Sequence, residues 1–183
     1  MCLAHKPIGE KTNEISAAQE ILGLMEPKGM IVTADAMNCQ KETVAVIHDG
    51  KGEYVLALKG NQGLFYEEVK EYFDEGCLAG LRGKESSYKK TVEVEHGGIA
   101  VREYYITEET GWFSEKKQWK GLKSFGMVHK ELKKADGSRE EEDRYYICSI
   151  GGDVEEFERA ARGHWGSRKG CTGIWTLHLA MTG

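Results

Sequence analysis

Asp35 stands at the end of an apolar run, Met30-Ile31-Val32-Thr33, and small or polar residues, Ala36, Met37 and Asn38, follow it. A carboxylate delivered at the mouth of a strand is where open α/β sheets place their chemistry. The same residue type also suits the cap of a following helix, and spacing alone leaves both readings open. Lys59, Asn61 and Gln62 follow a second apolar run, Tyr54-Val55-Leu56-Ala57-Leu58. If both runs are strands of one parallel sheet, Asp35 and these residues share a rim. A single carboxylate there can contribute to binding Mg²⁺, but a hard divalent ion needs further carboxylate or phosphate oxygens. Lys59 and the two amides suit a nucleic-acid backbone.

A second group comprises Arg159, Arg162, His164 and Trp165. The two arginines are three apart, so on a helix they share a face and could hold phosphate. The alternative is a solvated arginine pair with Trp165 in the core. His96 with Arg102, and His129 with Lys130, are lesser candidates, because a histidine in a hairpin turn is more often structural. No P-loop, Gly-x-Gly-x-x-Gly or Gly-x-Ser-x-Gly string occurs.

The elements that must position these residues can be read from periodicity. Asn13 caps a helix through Met25, with Ile15, Ala18, Ile21, Leu22 and Met25 as its apolar stripe. Strand Met30–Thr33, a helix from Gln40 to His48 and strand Tyr54–Leu58 follow. A third helix runs from Leu64 to Phe73. Continuous apolar strands separated by helices imply a parallel sheet covered on both faces. After Gly76 the pattern changes to alternation. Tyr88–Glu95 and Ile99–Ile106 form one hairpin. Leu122–Leu132 and Arg144–Ile150 form another, turning at Asp136-Gly137. The run Glu140–Asp143 reads as solvated, and Trp112, Phe113 and Trp119 as core or lid aromatics. Asp153 caps a last helix from Val154 through His164. The class is α/β, one sheet with a β-rich insertion at about 88–150 before the last helix.

Composition sets the outer bounds. A chain of 183 residues, 40% hydrophobic and 30% charged, suits one ordinary domain. No apolar run approaches the roughly 20 residues of a membrane span. The first residues lack a signal peptide's apolar core, so the expected compartment is the cytoplasm. Five cysteines occur without a Cys-x-x-Cys pair, which implies neither a zinc knuckle nor a disulfide framework. The net charge of −5 gives no global support for nucleic-acid binding.

Taken together, several strings carry a resemblance: Lys11-Thr12-Asn13-Glu14-Ile15, Asp35-Ala36-Met37-Asn38-Cys39-Gln40-Lys41, Leu58-Lys59-Gly60-Asn61-Gln62, Gly121-Leu122-Lys123-Ser124, Arg144-Tyr145-Tyr146-Ile147 and Arg162-Gly163-His164-Trp165. In order and spacing they resemble the DDE-type insertion-sequence transposases of the H-repeat-associated, Rhs-linked family, from about Lys11 to Gly166. The resemblance implies an RNase H-like fold, partial here. It implies two aspartates and a glutamate holding two Mg²⁺ ions for in-line attack on DNA phosphodiesters. By residue match Asp35 resembles the second aspartate, and is the catalytic and metal-binding candidate. Lys59, Asn61, Gln62, Arg159 and Arg162 are the DNA-binding candidates.

The departures also carry expectations. The family's first aspartate has no counterpart, and no acid lies between Gly166 and Gly183, where the glutamate should follow. The turn at His96-Gly97-Gly98 departs from the family's string. Residues 1–12 read as a disordered or truncated start. Lys169 to Thr182 can be back-translated so that another frame encodes VHWHLDIAFGDD, close to the family's string after the glutamate, so 167–183 reads as a frameshifted tail. The chain is then expected to be an inactive remnant of a DNA-acting enzyme that binds Mg²⁺ poorly. Missing strands would leave an exposed sheet edge open to self-association. The rival expectation is a non-catalytic DNA-binding or interaction module.

Overall fold

Two apolar runs make the parallel pair at the heart of the sheet. β1 (Met30–Ala34) and β2 (Glu53–Leu58) are buried along almost their whole length, and Ala34 is in register with Leu56. The computed structural model describes residues 22–24, 27–34, 36–82, 87–95, 97–166 and 178–181, with side chains left out at 37, 61, 75–77, 164–166 and 178–181. The expected start at 1–12 lies outside the described residues. So does most of the helix expected from Asn13, although 22–24 are helical and Leu22 is buried.

The helices are α1 (Lys41–Asp49), α2 (Leu64–Tyr72), α3 (Glu75–Arg82) and α4 (Val154–Gly166). The remaining strands are β3 (Tyr88–Glu95), β4 (Gly98–Thr107), β5 (Ser124–Lys134), β6 (Arg139–Cys148) and β7 (His178–Met181). All seven strands form one mixed sheet in the order β3-β4-β5-β6-β2-β1-β7. The insertion is thus an extension of the sheet: β6 joins β2 antiparallel, with Val55 opposite Cys148 and Leu58 opposite Tyr145.

The two-residue period of a strand sends alternate side chains to opposite faces, and each face has its own core. Val32, Leu56, Phe125 and Ile147 pack with Val44 and Ile47 of α1, Phe65 and Val69 of α2 and Leu81 of α3. Ile31, Val55, Ala57, Tyr104 and Tyr146 pack with Val154, Phe157, Ala160 and Ala161 of α4. Both faces are therefore covered, as the apolar strands require. Trp112, Phe113 and Trp119 sit in or against the first core, where Phe65 stacks on Phe113 at 4.3 Å between centroids. Asp153 does cap α4, its carboxylate accepting from the Glu155 amide at 2.9 Å.

One expectation is corrected, and two features add to the sequence reading. α3 was not anticipated from the sequence. The Glu140–Asp143 run is solvated but lies inside β6, paired with Leu132 to His129. The edge beside β1 is not open: β7, from within the expected frameshifted tail, pairs antiparallel with it, Met30 opposite Met181. No helix among the described residues is long and apolar enough to cross a membrane.

Candidate functional site

The strand ends at β1 and β2 form one rim, as the parallel register demands. Beyond β1, a 3-10 turn spans Ala36–Asn38. Beyond β2, a second spans Gly60–Gln62 and ends at Gly63, whose φ of 54° favours glycine. The Gln62 side chain ties the two together. Its Nε2 donates to the carbonyls of Ala36 at 2.9 Å and Cys39 at 3.1 Å. Its Oε1 accepts from the Lys59 amide at 2.9 Å. Lys59 is exposed beside it. The Asp35 position and the Asn61 side chain, both singled out in the sequence, lie outside the described residues, as does His96. Helix α1 has Gln40 as its N-cap.

Gln62 thus has a role that its sequence context did not disclose. Its amide, expected to face DNA, is committed to the backbone of the neighbouring turn. Gln62→Ala deletes three hydrogen bonds, two of them to part-buried carbonyls, for a loss of about 1–3 kcal/mol. Gln62→Glu sets a carboxylate against two carbonyl oxygens, so it costs at least as much as alanine. Urea melts of both variants, with amide exchange at Cys39 and Gln40, check this; protection there unchanged in Gln62→Ala contradicts the tie.

Two buried oxygens flank the rim without a partner among the described residues, Thr33 Oγ1 and Asn38 Oδ1. Both are neutral, and the described residues contain no group of three or more His, Cys, Asp or Glu side chains able to hold a metal. These residues by themselves do not fit a divalent cation, which needs several anionic oxygens.

The second candidate group lies across the sheet. β6 runs past Leu58, so its outer half, like the end of α4, extends beyond the same rim. There a groove of about 380 Å³ is lined by Arg102, Lys130, Arg144 and Arg162 together with Glu93, Glu95 and Glu142. Tyr104 forms part of its wall, and its buried hydroxyl has no hydrogen-bond partner among the described residues. Each cation is ion-paired. Arg102 meets Glu93 at 3.1 Å and Glu95 at 2.5 Å, Lys130 meets Glu95 at 3.2 Å, and Arg144 meets Glu142 at 2.6 Å. Arg162 pairs with Glu158 one turn back at 3.0 Å and with Glu93 on β3. Burial pushes the Glu95 and Glu158 carboxyls up, but the hydrogen bonds they accept outweigh it and hold both below the usual range. Hydrogen bonds to Glu93 and Glu158 push the Arg162 guanidinium up.

The expected basic face on the last helix is therefore an ion-pair network at Arg162, with Arg159 exposed one turn earlier. The Trp165 side chain lies outside the described residues. Arg102 and Lys130, lesser candidates in the sequence, are brought together in the groove by their direct cross-strand pairing. Their partner histidine His129 instead meets Asp143 at 2.6 Å.

Known proteins are similar to this chain in sequence. YncI of Escherichia coli O157:H7, which carries a transposase's name, is 38% identical over 161 residues, 85% of this chain and 40% of YncI. YhhI of Escherichia coli K12, named as an H repeat-associated transposase, is 35% identical over 163 residues, 85% of this chain and 42% of YhhI. Over most of its length, then, this chain is similar to proteins named as transposases, H repeat-associated ones among them. A protein of Xanthobacter autotrophicus encoded in the dhlA 3′ region, without an assigned function, is 32% identical over 149 residues, 81% of this chain and 49% of its own. The chain spans between 40% and 49% of the length of these relatives. No family model matches the chain, and no solved structure matches it. The rim at Lys59 and Gln62 and the groove at Arg162 are thus features of a chain related to H repeat-associated transposases.

Proposed function

We propose that this chain is part of a DDE-type transposase domain that acts on insertion-sequence DNA, built on an RNase H-like sheet. The observation that carries this reading is the Gln62 tie, which makes two strand ends into one rim around position 35 in a relative of transposases. The parallel β1–β2 pair and the helix α4 across the opposite face support the fold assignment. On this reading Asp35 would supply a metal-binding carboxylate and Lys59 would contact the DNA phosphates that approach the rim. Gln62 is a positioning residue that fixes the turn after Lys59. Mg²⁺, when bound, would stabilise charge on the attacked phosphate. The described residues by themselves do not fit such an ion.

On this reading the 183-residue polypeptide does not turn over by itself, because one carboxylate cannot neutralise and position two divalent ions. Donor-nicking and strand-transfer assays of the purified chain with Mg²⁺ or Mn²⁺ are expected to show no product. Turnover that disappears in Asp35→Asn would overturn the incompetence and keep the site. Turnover unaffected by that change would sink both.

The four cations of the groove favour a second reading, a non-catalytic DNA-binding module. An incoming phosphate would have to displace the glutamates that now hold them. Duplex binding should then weaken steeply with salt. Absence of binding at low salt removes this alternative and leaves the first.

A further inference from the structure

β3 ends the sheet, and among the described residues no strand pairs with its outer edge. Its side chains alternate between faces. Lys89 and Glu93 reach Glu155 and Arg162 of α4, so Lys89, Thr91, Glu93 and Glu95 share that side. Lys90, which meets Glu103 at 3.2 Å, points to the opposite face with Val92 and Val94. Val92 is 63% exposed and Val94 86%. Ile99, which lies opposite Val94 on β4, is 50% exposed. An unpaired strand with an apolar stripe is a template for pairing with another chain.

We infer that β3 pairs antiparallel with β3 of a second copy of this chain, about a two-fold axis at Val92. The sequence of the strand is complementary to itself in this direction: lysines at 89 and 90, valines at 92 and 94, glutamates at 93 and 95. Each face stays continuous across the dimer only if opposed residues point the same way, which restricts the axis to a residue position. An axis at Val92 sets Lys89 opposite Glu95 of the second copy and Thr91 opposite Glu93. On the other face Val92 meets its own copy, and Val94 lies diagonal to it and opposite the aliphatic stem of Lys90. The valine stripes, extended by both Ile99 side chains, merge into one patch. An axis at Glu93 would oppose two like carboxylates. An axis at Thr91 would set every valine against Lys90 or Tyr88 and separate the stripes. The interface is isologous, as a closed dimer requires.

The test uses sedimentation equilibrium of the full chain, with circular dichroism to confirm folding. The wild-type chain should show a monomer–dimer equilibrium. Val92→Asp and Val92→Lys each place like charges across the axis, and each should weaken association at least about tenfold. Mixed in equal amounts, the two variants should associate with each other, since Asp then faces Lys. A monomeric wild type overturns the proposal, as does a dimer that Val92→Asp leaves intact. If Val92→Asp strengthens association, the axis lies at Thr91, where position 92 faces Lys90, and the Val92 register is wrong. Failure of the mixture to associate also rejects the Val92 axis.

Discussion

Phe157→Ala is expected to lower the unfolding free energy by about 3–5 kcal/mol, the range for emptying a buried aromatic site. Phe157 is fully buried on the α4 face of the sheet. Its ring meets Tyr146 edge-on at 5.4 Å and Tyr104 at 6.5 Å. It also lies directly over Gly126 of β5, where an added Cβ would come within 2.4 Å of the ring. Absent a side chain at 126, the helix sits close to the sheet at this point. Gly126→Ala forces the phenyl ring out of its place and costs about 1–3 kcal/mol. The two positions share one volume, so their effects should not add. The double variant should be less destabilised than the sum of the singles, by urea denaturation of all four proteins. Additive effects would show that Gly126 and Phe157 do not constrain one another.

The second large effect belongs to Glu103, buried on the other face with only 11% of its side chain exposed. It accepts from Tyr105 at 2.7 Å, Arg82 at 2.8 Å and Tyr88 at 3.0 Å, with Lys90 at 3.2 Å. Burial pushes its carboxyl up, but the hydrogen bonds from Tyr105, Arg82, Lys90 and Tyr88 together hold it at about 2. A carboxyl depressed in the folded state adds stability above its ordinary pKa of about 4.3, and that stability is lost as pH falls toward 2. Arg82 and Lys90 are half exposed, 52% and 50% by side chain, so solvent screens their share. A contribution of about 2 kcal/mol remains at neutral pH. Glu103→Ala adds the desolvation of two tyrosine hydroxyls left without their acceptor, for about 3 kcal/mol in all. Glu103→Gln keeps the shape, costs about 1–2 kcal/mol and should flatten the stability profile between pH 4.5 and 2. A profile in the glutamine variant as steep as in the wild type would show that another group governs acid unfolding.

The parts of this architecture legible in sequence are those in which one physical signal dominates. β1 and β2 announce themselves because strands buried on both faces must be apolar throughout. α4 does so because Val154, Phe157 and Ala161 recur at helical spacing after the cap at Asp153. α3 is hidden by Gly76 and Gly80, which lower helix propensity, and forms where Leu81 can pack and Arg82 can reach Glu103. The outer half of β6 is hidden by its acids. It is held by cross-strand partners on β5, such as His129 with Asp143 and Lys134 with Glu140. At the site, Asp35 and Lys59 stand out by residue type at a strand end. Gln62 does not stand out as a tie, since nothing in its type distinguishes a ligand contact from a clasp on a neighbouring turn.

The sheet order also has a kinetic meaning. β3 to β6 pair with their sequence neighbours, so their loops close over short separations at small entropic cost. β2 pairs locally with β1, but its pairing with β6 and that of β1 with β7, where Met30 meets Met181, span much of the chain. Long-range pairings form slowly because chain entropy is lost before contacts compensate for it. The meander and the β1–β2 pair with its Gln62 tie are thus two local units, and the step that costs most chain entropy is the docking of one on the other through β2 and β6.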